Sequence, residues 1–95
     1  METIKIYEKA GNFAENKDIA RDIRLKFIKP ALAKNDEEIV IDFNGVTGAT
    51  QSFVHALISQ LIREHGNQLF QRILFKDCTS AVQQVINIVA DYMAE

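Results

Sequence analysis

Apolar residues recur along this chain in two rhythms, period two and period near 3.6, and they alternate. Thr3 to Tyr7 alternates with period two, which predicts a strand with Ile4 and Ile6 facing the core and Thr3, Lys5 and Tyr7 facing away. Gly11-Asn12 interrupts the pattern as turn residues do. Asn16 is placed to cap a helix, its side-chain oxygen accepting from an orphan backbone N–H. Ile19, Ile23 and Phe27 follow at spacing four, with Ala20 and Ala31 on the same side, as one apolar stripe. Pro30 has no N–H to give and crowds the turn before it, so the helix is predicted to end or kink there. A polar connection, Lys34-Asn35-Asp36-Glu37, comes next.

Ile39-Val40-Ile41, inside Glu38 to Phe43, is a β-branched run of the kind found in a central strand buried on both faces. Asn44 to Ala49, with Gly45 and Gly48, reads as a loop at the carboxyl end of that strand. From Gln51 to Glu64, Val54, Leu57, Ile58, Leu61 and Ile62 have the spacing of a core-facing helix, which Gly66 ends. Ile73-Leu74-Phe75 reads as a third strand starting near Leu69. Ser80 and Gln83 have the spacing of a capping box, and the last helix is predicted to bury Val82, Val85, Ile86, Val89 and Met93.

The order is β-α-β-α-β-α. It predicts an α/β domain with a mixed, mostly parallel sheet of three to four strands and about three helices. The fourth strand would come from a hairpin near Tyr7 to Phe13, and the first strand would lie at an edge. A length of 95 residues fits one domain spanning 1–95, with room for one core but not for a deep enclosed site as well.

Composition narrows the function classes. Hydrophobic residues are 47% and charged residues 25%, as in an ordinary globular protein rather than a disordered one. The net charge of −2 argues against a nucleic-acid partner, since such binders carry a basic excess. The local basic group Arg21, Arg24, Lys26 and Lys29 is interleaved with Asp18 and Asp22 and reads as a solvated helix face. One cysteine, Cys78, forms no internal disulfide and makes no zinc site with His55 and His65 alone. No apolar run approaches a membrane span and no signal peptide is visible, so the expected compartment is the cytoplasm, with no membrane partner.

Candidate chemistry is sparse. Gly45 and Gly48 make no phosphate-binding motif, Ser52 sits in no nucleophile elbow, and no metal or cofactor is expected. His55 and His65, ten apart, do not share a helix face. Cys78, just ahead of a helix N-terminus, is either a thiol of lowered pKa or a small apolar residue packed between strand and helix. The segment Ile39 to Leu57 stands out: a strand ending in Asp42, a glycine-containing loop, then Thr50, Gln51 and Ser52 opening a helix. Ligands and partners meet α/β sheets at the carboxyl ends of strands, and a helix N-terminus suits an anion. Capping by Thr50 or Ser52 and bracing of the loop by Asp42 account for the same residues equally well.

The segment resembles the STAS domain of anti-sigma factor antagonists and sulfate-transporter tails, which has a strand ending in aspartate, a Gly-Val turn and Asp-Ser-x-Gly at a helix start. More closely, the chain is similar to small bacterial STAS-like proteins through Asp42-Phe43-Asn44-Gly45-Val46 and Ser52-Phe53. The resemblance also takes in Gly11-Asn12-Phe13-Ala14, Arg21-Asp22-Ile23-Arg24, Pro30-Ala31-Leu32 and Phe75-Lys76-Asp77-Cys78, and so covers most of the chain. In STAS domains the Ser of that motif is phosphorylated by a partner kinase with a histidine-kinase-like ATPase fold. Counting from Asp42, the family's Asp falls on Thr50, its Ser on Gln51 and its Gly on Phe53, so Thr50 and Ser52 are the remaining hydroxyls that could take a phosphate.

The resemblance implies a non-catalytic regulatory module in signalling, similar to an anti-sigma factor antagonist, that binds a histidine-kinase-like ATPase. The implied partner surface is Asp42, Asn44, Gly45, Thr47, Gly48, Thr50, Gln51, Ser52, Phe53 and His55, extending along the helix to Ser59 and Gln60. Exposed apolar residues on that helix, such as Phe53 and Val54, would support it. The alternatives are a domain that binds a nucleotide or other small anion at the loop, and a homo-oligomer, such as a homodimer, pairing through its first strand.

Overall fold

Strand β1 (Glu2–Lys5) runs along one edge of a three-stranded parallel sheet in the computed structural model of the chain, which describes residues 2–34 and 38–93. Strand β3 (Ile39–Asp42) is central and β5 (Ile73–Lys76) forms the other edge. The register places Glu2, Ile39 and Ile73 abreast, then Thr3, Val40 and Leu74, then Ile4, Ile41 and Phe75, then Lys5, Asp42 and Lys76. Side chains alternate between faces. Ile4, Ile39, Ile41 and Ile73 therefore join the core, while Val40 points the other way between the exposed Thr3 and Leu74. All four residues of β3 are buried, as its β-branched run predicts.

The predicted hairpin is not there. The chain leaves β1 as a short helix, α1 (Ile6–Ala10), with Ile6 in the core and Tyr7 about half exposed. Gly11 turns it into β2 (Phe13–Ala14), which pairs in parallel with β4 (Gly48–Ala49), a strand inside the segment predicted as loop. Parallel pairing arises because a whole βα unit separates the two segments.

Helix α2 (Lys17–Ile23) is capped as its sequence predicts: Asn16 Oδ1 accepts from the N–H groups of Asp18 at 2.9 Å and Ile19 at 3.3 Å. Helical structure does not stop at Pro30. A π-helical turn, Arg24–Ile28, leads into α3 (Lys29–Lys34). Its closing bond runs from the Lys29 N–H to the Arg24 carbonyl, five residues back. A proline in a regular helix collides with the carbonyl four residues before it, and the wider turn ahead of Pro30 makes room for the ring. The same turn inserts one residue into the apolar stripe, so the core step from Ile23 is to Ile28, with Ala31 and Leu32 after it. Phe27, predicted to be core, stands 41% exposed with Lys9 Nζ 4.3 Å above its ring. The polar connection predicted across Asn35, Asp36 and Glu37 lies outside the described residues.

Helix α4 (Gln51–His65) is the centre of the core and packs against both α2 and α5 (Ser80–Met93). Its Phe53, Val54, Leu57, Ile58 and Leu61 are inaccessible to solvent, each worth about 1.5–3 kcal/mol of hydrophobic burial. Gly66 caps it with φ 66°, and a 3-10 segment, Gly66–Gln71, buries Leu69 before β5 begins at Ile73, later than predicted. Helix α5 buries Val82, Ile86 and Val89, with Val85 and Met93 partly covered. Its cap is Thr79, not a Ser80–Gln83 box: Thr79 Oγ1 accepts from the Val82 N–H at 3.2 Å, and the Gln83 side chain donates to Asn87 instead.

Candidate functional site

The segment after β3 is built as a braced turn. Asp42 is 7% exposed, and its Oδ1 accepts from the Asn44 N–H at 2.8 Å. Phe43, fully buried, anchors the turn, and its carbonyl accepts from the Val46 N–H. Gly45 has φ 92°, a left-handed conformation that suits glycine. Thr47 binds back to Asn12 through both its N–H (2.8 Å) and its hydroxyl (3.1 Å), while its own carbonyl accepts from Thr79 Oγ1. The Thr50 N–H donates to the Ala14 carbonyl at 2.9 Å. The loop is thus tied to two separate parts of the chain, Asn12–Ala14 and Thr79, before α4 starts.

These ties sort the predicted site residues. Thr50 Oγ1 accepts from the Phe53 N–H at 3.1 Å and is committed to capping α4. Ser52 is exposed in the first turn of that helix, and its hydroxyl makes no hydrogen bond among the described residues. Gln51 and His55 are exposed beside it. Asn44, Gly45 and Thr47 are exposed at the turn. Gly48, Phe53 and Val54 are buried, so no exposed Phe53–Val54 apolar row exists, and Phe53 serves the core. Ser59 is also buried, 3.4 Å from His55 Nδ1, leaving Gln60 as the exposed residue of that pair.

Two depressions flank the turn. The smaller, ≈ 220 Å³, is lined by Lys5, Tyr7, Glu8, Asp42 and Asn44. The larger, ≈ 460 Å³, lies where α4 meets α5 and the start of α2. It holds Gln51, Ser52 and His55 from the predicted surface, and Lys17, Ala56, Ile88, Val89 and Tyr92, which sequence reasoning missed. Ile88 and Tyr92, one helical turn apart and off the core stripe of α5, form a second apolar stripe that periodicity does reveal. Lys17 has no such signal; packing of α2 on α4 brings it there, helped by the Arg24 Nη1 bond of 2.8 Å to the Ala56 carbonyl. Arg24 is therefore not simply part of a solvated basic face, whereas Arg21, Lys26 and Lys29 are exposed.

Cys78 is partly buried against the core, which is the packing reading of the sequence. Burial pushes its thiol above the ordinary value of 9.0, and the charges of Asp77 and then Asp42 push it further the same way. Of the two alternatives the sequence offers for Cys78, this is the packed small residue and not the thiol of lowered pKa. Among the described residues no three of His, Cys, Asp and Glu converge as a metal site, and no helix is long and apolar enough to cross a membrane.

The family model for a STAS-like domain of unknown function (DUF4325) matches residues 20–83, more than half of the chain. No curated protein and no solved structure matches. The matched span contains the whole turn and α4 but not Lys17, Ile88 or Tyr92.

Proposed function

The chain belongs to the STAS-like domain family, and from that premise we propose that it is a non-catalytic regulatory module that docks a histidine-kinase-like ATPase through the turn at Gly45–Ser52 and the first turns of α4. The observation that carries this reading is the exposure of Gln51, Ser52 and His55 side by side on a helix whose opposite face is wholly core. Such an arrangement presents a polar patch of fixed shape, because the loop below it is hydrogen-bonded at both ends. A pre-organised patch loses little entropy on binding.

Within this reading Ser52, rather than Thr50, is the hydroxyl open to a phosphate. Thr50 would have to give up its cap, whereas Ser52 is exposed. A phosphate there brings −1.5 to −2 charges to a helix N-terminus, about neutral or favourable for the fold, and acts at the interface.

The test is calorimetric titration of the full chain with purified histidine-kinase-like ATPases, with and without ATP, followed by intact mass. Saturable binding supports the docking module, and a gain of one phosphate lost in Ser52→Ala supports a retained switch. Absence of binding with every such ATPase tried rules the reading out.

A further inference from the structure

The cleft between α4 and α5 has a composition that specifies its occupant. Its apolar lining is Ala56 from α4, and Ile88, Val89 and Tyr92 from α5. Ile88 is 49% exposed and Tyr92 74% exposed, large apolar surface left open to water at the rim. The rest of its lining is polar: Lys17 from α2, and Gln51, Ser52 and His55 from the first turns of α4. No carboxylate lines it among the described residues, although the chain has 13 acidic residues against 11 basic ones. The first turn of α4 adds the partial positive end of a 15-residue helix.

An open trough with an exposed tyrosine at its edge is unlike a site that engulfs a small molecule, which buries most of its ligand. It fits a segment of another protein, where tyrosine is enriched among the residues that dominate affinity. We propose that this cleft is the specificity pocket of the docking surface and that it takes an acidic–apolar segment of the protein partner: an aliphatic or aromatic side chain seated between Ile88 and Tyr92, with a neighbouring carboxylate facing Lys17 and His55. The inference rests on the docking reading and extends it from the matched STAS-like span to residues on α2 and α5 that lie outside that span. It also explains how Ser52 acts. Ser52 lines the same cleft, so negative charge there opposes the carboxylate directly.

The experiment records amide NMR spectra of the full chain during titration with a ten-residue peptide of alternating glutamate and leucine, and with its lysine–leucine counterpart. The acidic peptide is expected to shift Gln51, Ser52, His55, Ala56, Ile88 and Val89 saturably. Tyr92→Ala is expected to weaken it roughly tenfold, and Lys17→Glu and Ser52→Glu severalfold, more at low salt. All three side chains are exposed and glutamate suits the first position of a helix, so these variants keep the fold, which their spectra verify. Equal shifts of the cleft by the lysine peptide, unchanged affinity in Tyr92→Ala, or occupation of the cleft by octanoate but not by the peptide overturns the proposal. The same variants are titrated with the ATPase. Equal affinity for wild type and cleft variants removes the cleft while ATPase docking stands. Cleft-specific peptide binding without ATPase binding keeps the acidic–apolar specificity and removes that partner.

Discussion

The ring of Tyr7 lies directly against Gly45: a Cβ built on Gly45 would stand 2.9 Å from Tyr7 Cδ1. This contact joins the first helical turn after β1 to the turn after β3, the two chain segments that leave the sheet at its carboxyl edge side by side. A similar contact recurs at Gly48, where a Cβ would stand 2.9 Å from Phe13 Cε1. Both rings are about half exposed, so they roof the turn without closing it.

Gly45→Ala therefore carries two penalties, a left-handed φ and a steric one. Gly66 has a comparable φ of 66° with nothing within 4 Å, so Gly66→Ala carries the first alone. Gly66→Ala is expected to cost about 1–2 kcal/mol and Gly45→Ala roughly 1–3 kcal/mol more. Urea unfolding of both, and of Gly45→Ala combined with Tyr7→Ala, checks it: the double variant should recover most of the difference.

The π-helical turn makes an unusual demand on neighbouring residues. Ile28→Ala should destabilise by about 2–4 kcal/mol, because Ile28 is wholly buried. Phe27→Ala should cost about 1 kcal/mol or less, losing an exposed ring and its contact with Lys9. A regular helix would reverse that order, so comparing the two unfolding midpoints decides whether the extra residue is accommodated in solution.

Thr50→Ala should lower stability by about 1 kcal/mol through loss of the cap on α4. Ser52→Ala should leave the melting temperature within experimental error, since its hydroxyl is exposed. A scanning calorimetry trace for each variant separates the capping hydroxyl from the one open to partners.

Cys78 should react slowly with iodoacetamide at neutral pH, with a rate midpoint above that of an exposed cysteine. The sign follows from the cause: burial and two negative charges disfavour the thiolate, so less of it exists at a given pH than in a free cysteine. Asp77→Asn should move the midpoint down, and asparagine tolerates the positive φ of 56° found at that position. An alkylation rate profile that is unmoved, or that moves upward, contradicts this electrostatic account.

Much of the fold is written in local patterns. The β-branched run Ile39-Val40-Ile41 marks the central strand, and the five-residue stripe from Val54 to Ile62 marks the helix that fills the core. The cap at Asn16 and the stop at Gly66 follow from backbone groups that need partners and from a φ that glycine tolerates. The turn Asp42 to Val46 was equally legible, because aspartate bracing and glycine turning are short-range effects.

What periodicity misread came from a local break in the helical repeat and from distant segments. Phe27 yields its core position to Ile28 because of a widened turn ahead of Pro30. Phe13-Ala14 is a strand because Gly48-Ala49, far along the chain, supplies the pairing groups. Phe53, next to the open Ser52, is sealed in the core because one face of α4 is covered by the rest of the fold and the other meets water.

The candidate site divides along the same line. Sequence alone determined the braced turn, the start of α4 and the hydroxyls of Thr50 and Ser52, since each arises from neighbours a few residues apart. Only the tertiary structure decided that Thr50 is spent on its cap while Ser52 is open, and that Lys17, Ile88 and Tyr92 stand around it. Those residues come from three helices, and their meeting is set by how α2 and α5 pack on α4, a long-range outcome of burying one shared core that no local spacing encodes.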